Sequence, residues 1–257
     1  MSLDYAEIRR RVDKPHNIAA QASASNLIHL CKSEDPFLYN EYDKAMSKYM
    51  RRIVGDIEGR TDAKILVVGS ASLDYPIHLQ MLTKKEVYGI DVVADVIHAQ
   101  SERIKAIRES DNYDDLEKKF SGLEASLGFP LEIRNFREEV NGTMHHYAPF
   151  RMVKESLSHI HPIQADAHTI PFDEKMFDFV FFDCTIEYSP YPEKFFEECV
   201  RVLKEGGLLF MISAWYNKGR VSEYKTSVFN QLLEIAEREC DEVETEFEYL
   251  YARKKIN

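Results

Sequence analysis

Gln164–Ser213 reads QADAHTIPFDEKMFDFVFFDCTIEYSPYPEKFFEECVRVLKEGGLLFMIS. An acid, Asp166, follows a short apolar segment, and a Pro171-Phe172 turn follows the acid. Phe177 to Phe182 is then a strand, apolar but for Asp178, as a strand buried on both faces should be. From Glu193 to Lys204 the apolar positions Phe196, Cys199, Val200 and Leu203 recur at helical spacing. Gly206-Gly207 is expected to stop that helix, because glycine accepts the left-handed conformation of a helix end. Leu208 to Ile212 is a second buried strand. Strand, helix and strand in this order form the second half of a nucleotide-binding, doubly wound α/β sheet.

The same grammar recurs toward the N-terminus. Ile65 to Val68 is a β-branched and apolar run ending at Gly69, and Pro76 to Leu82 reads as the following helix. Val87 to Ile90 is a second short strand closed by Asp91. In such a half-unit the strand-end glycine faces a nucleotide and the next strand's acid meets its ribose. Val93 to Glu109 supplies a crossover helix with Val96, Ile97, Gln100, Ile104 and Ile107 inward. Ile163 to Ala165 is the third strand, and Tyr224 to Cys240 is a late helix with Val228, Leu232, Ile235 and Ala236 inward. Val243 to Arg253 alternates in parts and fits either one strand or a tight hairpin. The expected fold is therefore α/β, a Rossmann-like doubly wound, mostly parallel sheet, with N-terminal helices and a helical insertion.

Two segments lie outside this grammar. Residues 1–60 read as a helical cap ahead of a domain spanning 61–257. Within the cap, Asp35-Pro36 starts a helix over Leu38 to Ile57, with Tyr39, Tyr42, Ala45, Met46, Tyr49, Met50 and Ile53 on one stripe. That stripe suits either a helix packed on the sheet or a lid whose tyrosines touch a ligand. Between Asp91 and Pro162 the chain is too long for one crossover, and an insertion is placed at about 110–160. It holds a helix over Leu116 to Leu127 and the turn dipeptide Asn141-Gly142.

The segments 64–98 and 162–213 together resemble the class I S-adenosylmethionine-dependent methyltransferases, of the type 11-like group. In that family the first strand ends in acid-x-Gly-x-Gly-x-Gly. Here the stretch is Val67-Val68-Gly69-Ser70-Ala71-Ser72-Leu73, which keeps only the first glycine, and Leu73 must turn away from the loop. Asp91 matches the family's ribose-binding acid. Asp166-Ala167, ahead of Ile170-Pro171-Phe172, matches the acid that meets the adenine amino group. After the fourth strand Ile186-Glu187-Tyr188 stands where a Leu-His-His-like element is common, and Arg201 to Gly207 resembles the family's helix and Gly-Gly turn. The resemblance implies S-adenosyl-L-methionine as cofactor, contacted by Gly69, Ser70, Ala71, Asp91, Val92, Asp166, Ala167 and Asp183. A dehydrogenase would need Gly-x-Gly-x-x-Gly near Gly69, and the second and third glycines are missing.

Composition narrows the partners. Lys and Arg number 33 against 44 Asp and Glu, a net charge of −11, which argues against a nucleic-acid footprint. The apolar runs are too short to span a bilayer. Cys31, Cys184, Cys199 and Cys240 are scattered without a C-x-x-C pair, as in a cytoplasmic protein with reduced thiols. His145, His146, His159, His161 and His168 fall within 24 residues, yet their spacing fits no standard zinc motif, so no metal is expected. His159 and His161 have strand spacing and can share a face. Methyl transfer needs an aligned nucleophile and, for a hydroxyl acceptor, a base. Glu187, Tyr188, His145 and His146 are the candidates. The expected activity is methylation of a small molecule at oxygen or nitrogen. The alternative is a catalytically silent protein of the same fold that binds a nucleotide or a protein partner.

Overall fold

In the computed structural model, residues 41–70, 73–127, 137–140, 143–146, 149–213, 223–246 and 249–256 are described. Helix α1 (Glu41–Glu58) precedes strand β1 (Lys64–Val68), helix α2 (Asp74–Thr83) and strand β2 (Glu86–Asp91). Then come α3 (Ala94–Glu109), α4 (Tyr113–Leu127), a small hairpin of β3 (Arg137–Val140) and β4 (Thr143–His146), and α5 (Phe150–Ser156). Strands β5 (Ile160–Gln164) and β6 (Phe177–Asp183), helix α6 (Pro192–Val202) and strand β7 (Leu203–Ile212) follow. Helix α7 (Glu223–Glu239) and the strands β8 (Cys240–Glu246) and β9 (Tyr249–Lys254) complete the described chain.

The main sheet has seven strands in the order β5-β2-β1-β6-β7-β9-β8. Neighbours from β5 to β7 are parallel, and β9 is antiparallel to both β7 and β8. Chain order reverses direction between β1 and β6, which pair from Ile65 with Phe179 to Val68 with Phe182. The doubly wound sheet and the adjacency of these two strands are as the apolar runs predict.

Alternation along each strand feeds two cores. Leu66, Val68, Val180, Phe182, Leu209, Met211, Leu250 and Ala252 face α6 and α7, where Phe196, Cys199, Leu232 and Ala236 meet them. Ile65, Val67, Phe179, Phe181, Phe210, Tyr249 and Tyr251 face the other way, onto α1 and α2. Tyr49 of α1 lies in this second core, stacked on Tyr251 at 5.7 Å between ring centroids. Of the two uses open to the tyrosine stripe, Tyr49 takes the packed one; Tyr39, Tyr42, Ala45 and Met46 lie outside the residues whose side chains are described. A third cluster, with Leu73, Ile77, Ile107, Leu116, Phe120 and Val153, joins α2 through α5.

Several expectations need correction. Helix α6 ends at Val202, and the strand begins at once with Leu203, which pairs with Phe177. Gly206 is left-handed at φ +68°, but it serves an irregularity inside β7, where the register shifts between Phe177 and Phe179. Leu203 is buried beside the parallel strand, and a strand partner outweighs further helical turns. Strand β5 starts at Ile160, three residues ahead of Ile163, and accommodates Pro162 opposite Gly89. The C-terminal segment is a hairpin. On α3, Ile97 is only half-buried, while Arg103 is buried over the Phe120 ring at 5.6 Å. Strand β8 carries Glu242, Glu244 and Glu246. The first two bind Arg52 of α1, and Lys48 reaches Glu246 at 3.2 Å.

Candidate active site at the strand ends

Parallel strands point their carboxyl ends the same way, so the order β5-β2-β1-β6 sets four chain positions side by side. They are Asp166 beyond β5, Asp91 at the end of β2, Gly69 after β1 and Asp183 at the end of β6. At roughly 4.8 Å per strand the row is about 14 Å long. It lies at the reversal of strand order, where open α/β sheets bind ligands.

Gly69 is left-handed at φ +69°, and its N–H donates to Ile90 O at 2.8 Å. The Ser70 N–H donates to the same carbonyl at 3.0 Å. The turn therefore folds back over β2, and Gly89 makes room: a Cβ there would lie 2.9 Å from Ser70 Cβ. Ser70 is buried, and its hydroxyl accepts from Gln100 Nε2 at 3.0 Å. Its side chain is thus engaged with α3. Ala71 and Ser72 lie outside the described residues. Leu73 turns away as its bulk demands. It is fully buried against Ile77 and Ile107, and it holds a left-handed φ of 67° that glycine would adopt more cheaply.

Asp91 Oδ1 accepts the Val93 N–H at 3.0 Å, and the Asp91 carbonyl accepts the Ala165 N–H at 2.9 Å. This contact closes a turn just ahead of α3, whose first turn has no side-chain cap, and Asp91 is half-buried at the row. Val92, next in the chain, has its carbonyl within 3.5 Å of Gln164 Nε2. Asp166 Oδ1 accepts the His168 N–H at 2.9 Å and meets His168 Nδ1 at 2.6 Å. Ala167, half-buried, rests on the core below. The Ile170-Pro171-Phe172 turn is gripped from α6. Glu198 accepts the Ile170 N–H, and Arg201 donates to the carbonyls of Ile170 and Phe172.

On the β6 side, Asp183 Oδ2 accepts the Tyr75 O–H at 2.5 Å. Cys184 is left-handed at φ 46°. Thr185 donates to the carbonyls of Asp183 and Val68, and a Cβ on Gly69 would lie 2.3 Å from Thr185 Oγ1. Glu187 and Tyr188 sit in a short 3-10 turn, Ile186–Tyr188. Burial, then Glu187 and Cys184, push the Tyr188 hydroxyl above its ordinary range. It stays protonated at neutral pH and can donate a hydrogen bond. Of the histidines, His145 and His146 lie in β4, and their side chains are outside the described residues. His159 and His161 do share a face, both on Glu86 at 2.6 Å, at the opposite ends of the strands from the row. Hydrogen bonds from His161 and then His159 hold the Glu86 carboxyl below its usual range. Among the described residues no cluster of His, Cys, Asp and Glu is placed to hold a metal ion.

The two halves of this row differ. Asp91 and Asp166 present carboxylates on adjacent parallel strands. Toward β6 the face of Gly69 is already packed by Thr185, and Ser70 and Leu73 are turned into the core. The sequence reading names both acids and lists His168 among the clustered histidines; it does not name Tyr75, Thr185 or Ser189, which lie beside this row. Only His168, two residues from Asp166, carries a local signal.

Residues 137–211 match the family model of the methyltransferase domain. The match takes in β5, Asp166, β6, α6 and most of β7, and leaves out Gly69 and Asp91. No curated protein matches the chain in sequence. Similar solved structures include a SAM-dependent methyltransferase from Aquifex aeolicus, at 17% identity over 98% of each chain with a TM-score of 0.47. Another is the YcgJ protein from Bacillus subtilis, at 14% identity over 66% of this chain with a TM-score of 0.39; the chain spans about half, 51%, of its length. A third is phosphoethanolamine N-methyltransferase 2 from Haemonchus contortus, solved with S-adenosylhomocysteine, at 15% identity and a TM-score of 0.46. Here 88% of this chain covers 43% of that one. With its strand order and with the domain match over 137–211, the chain is a Rossmann-like protein of the class I methyltransferase fold.

Proposed function

We propose that the chain is an S-adenosylmethionine-dependent methyltransferase acting on a small molecule at oxygen or nitrogen. The observation that carries this reading is the pair of carboxylates, Asp91 and Asp166, on adjacent parallel strand ends beside the Gly69 turn. In it Asp91 accepts from the ribose hydroxyls, Asp166 accepts from the adenine amino group, and Val92 and Ala167 line the purine between them. Gly69, Ser70 and Ala71 border the methionine end through their backbone, and Asp183 closes that end from β6. When bound, the cofactor supplies an electrophilic methyl group on a sulfonium leaving group.

The chain's own part is to align the acceptor, exclude water and take up a proton. Glu187 is our candidate base for a hydroxyl acceptor, and Tyr188, held protonated, donates a hydrogen bond. His145 and His146 join them from the insertion at 110–160, which we assign to the acceptor pocket or a lid over it. The domain we assign runs from 61 to 257, and of the cap expected over 1–60 only 41–60 lie among the described residues, with α1 packed on the sheet. The free thiols of Cys184, Cys199 and Cys240 support a cytoplasmic setting. No helix among the described residues is long and apolar enough to cross a membrane.

Calorimetric titration with S-adenosylhomocysteine tests the cofactor site. The wild-type protein should bind, and Asp91→Ala and Asp166→Ala should each weaken binding by about tenfold or more, the worth of one charged hydrogen bond. Unchanged affinity in both variants would reject the site as assigned. A second reading, a silent protein of the same fold, is favoured by Thr185 filling the face of Gly69. Under that reading the wild-type protein binds neither S-adenosylmethionine nor its demethylated product.

A further inference from the structure

Asp166, His168 and Ser189 form a continuous relay from the loop after β5 to the loop after β6. His168 Nδ1 lies 2.6 Å from Asp166 Oδ1, and Nε2 lies 2.7 Å from Ser189 Oγ. The imidazole is buried, with 7% of the residue exposed, so water does not compete for either nitrogen. Ser189 Oγ also accepts the Tyr191 N–H at 3.0 Å. The Asp166 carboxylate can only accept, so the proton of a neutral imidazole lies on Nδ1, and Nε2 is left to accept the Ser189 hydroxyl proton. One tautomer satisfies all three groups. Oδ1 of Asp166 is loaded twice, by this ring and by the His168 backbone N–H at 2.9 Å.

We propose that His168 is a positioning residue: it fixes the Asp166 carboxylate so that Oδ2 faces a purine amino group, and it ties that carboxylate to the acceptor-side turn through Ser189. The proposal rests on the cofactor reading above. Carboxylate, imidazole and hydroxyl in this order also activate serine nucleophiles. Here the hydroxyl is pinned inside its own turn by Tyr191, and the ring is walled by Phe195 and Tyr191 at 6.2 and 6.1 Å. Both features suit a fixed strut over a nucleophile.

Two measurements test it separately. Nitrogen-15 NMR of the imidazoles in the ligand-free protein reads the tautomer without reference to any cofactor. His168 should show a protonated Nδ1 and a bare Nε2, and Asp166→Ala should release that preference; a protonated Nε2 would overturn the relay. Calorimetry with S-adenosylhomocysteine and with its 6-oxo analogue, S-inosylhomocysteine, reads the consequence. His168→Phe should weaken S-adenosylhomocysteine by roughly tenfold, while His168→Asn, whose amide nitrogen can stand at the Nδ1 position, stays near wild type. The wild-type preference for the amino ligand should shrink in His168→Phe, a coupling that a merely structural role would not produce. An unchanged preference in His168→Phe, an equal loss of preference in both variants, or labelling of Ser189 by a fluorophosphonate would overturn the proposal. Failure of the wild-type protein to bind S-adenosylhomocysteine would instead strike the cofactor reading, leaving the tautomer to decide the relay.

Discussion

At Gly69 two constraints meet in one residue. Its φ of +69° suits glycine, and Thr185 Oγ1 stands where a Cβ would be. Gly69→Ala should therefore cost about 1–2 kcal/mol from the left-handed backbone alone, with the Thr185 clash added. A Thr185→Ala background removes the closer Oγ1 and Cγ2 contacts and leaves only the Cβ at 2.9 Å, so the added cost should shrink toward the backbone part. Urea denaturation of the four proteins measures the difference, and an identical cost in both backgrounds would show that Thr185 yields freely. Gly69, Asp91 and Asp166 were legible in the sequence because a strand end and the residue after it are local facts. Thr185 and Ser189 were not. Thr185 acts on Val68 and Gly69 from more than a hundred residues away in the chain, and Ser189 on His168 from 21. A hydroxyl in a turn looks the same in sequence whatever it touches.

Among elements, α1 shows how a peripheral helix becomes part of the main core. Tyr49, Met50, Ile53 and Ile57 are buried on the sheet, and Tyr49 touches Phe210, Tyr249 and Tyr251 together. Tyr49→Ala should lower stability by about 3–5 kcal/mol, the cost of removing a buried ring. Tyr49→Phe should cost about 1 kcal/mol or less, because the hydroxyl meets only the half-exposed carboxylates of Glu246, at 3.4 Å, and Glu244. Chemical denaturation checks both; equal losses would move the weight from the ring to the hydroxyl. Period and burial made α1, α3, α6 and α7 legible, since each buries one stripe. The end of α6 was misread because Leu203 fits the helical stripe and the strand equally well. What decides it is pairing with Phe177, a contact that no local pattern contains.

Across the whole molecule, carboxylates tie the layers together and set the response to acid. Burial raises the pKa of Asp178, but Lys204 at 2.7 Å, the Lys64 N–H and Arg60 outweigh it and hold the carboxyl below its usual range. Glu198 is likewise held low: burial works against it, and Arg201 and the Ile170 N–H prevail. A carboxyl depressed in the folded state contributes stability that is complete above its unfolded pKa and is lost as pH falls through the folded one. The urea midpoint should stay level from pH 7 to pH 5 and drop below about pH 4, where ordinary carboxyls titrate. Asp178→Asn should start lower at pH 7 and fall less. A midpoint already declining between pH 7 and pH 5 would assign the loss to histidines instead. Strand order is the other property of this scale, and β5 and β8 are the two strands it leaves with one neighbour each. One contains Pro162, which offers no N–H, and the other bears Asp241, Glu242, Glu244 and Glu246 in close succession. Neither margin is a good template for a foreign strand. Copies of this protein that meet at high concentration are thus steered away from joining through the margins of the seven-stranded sheet.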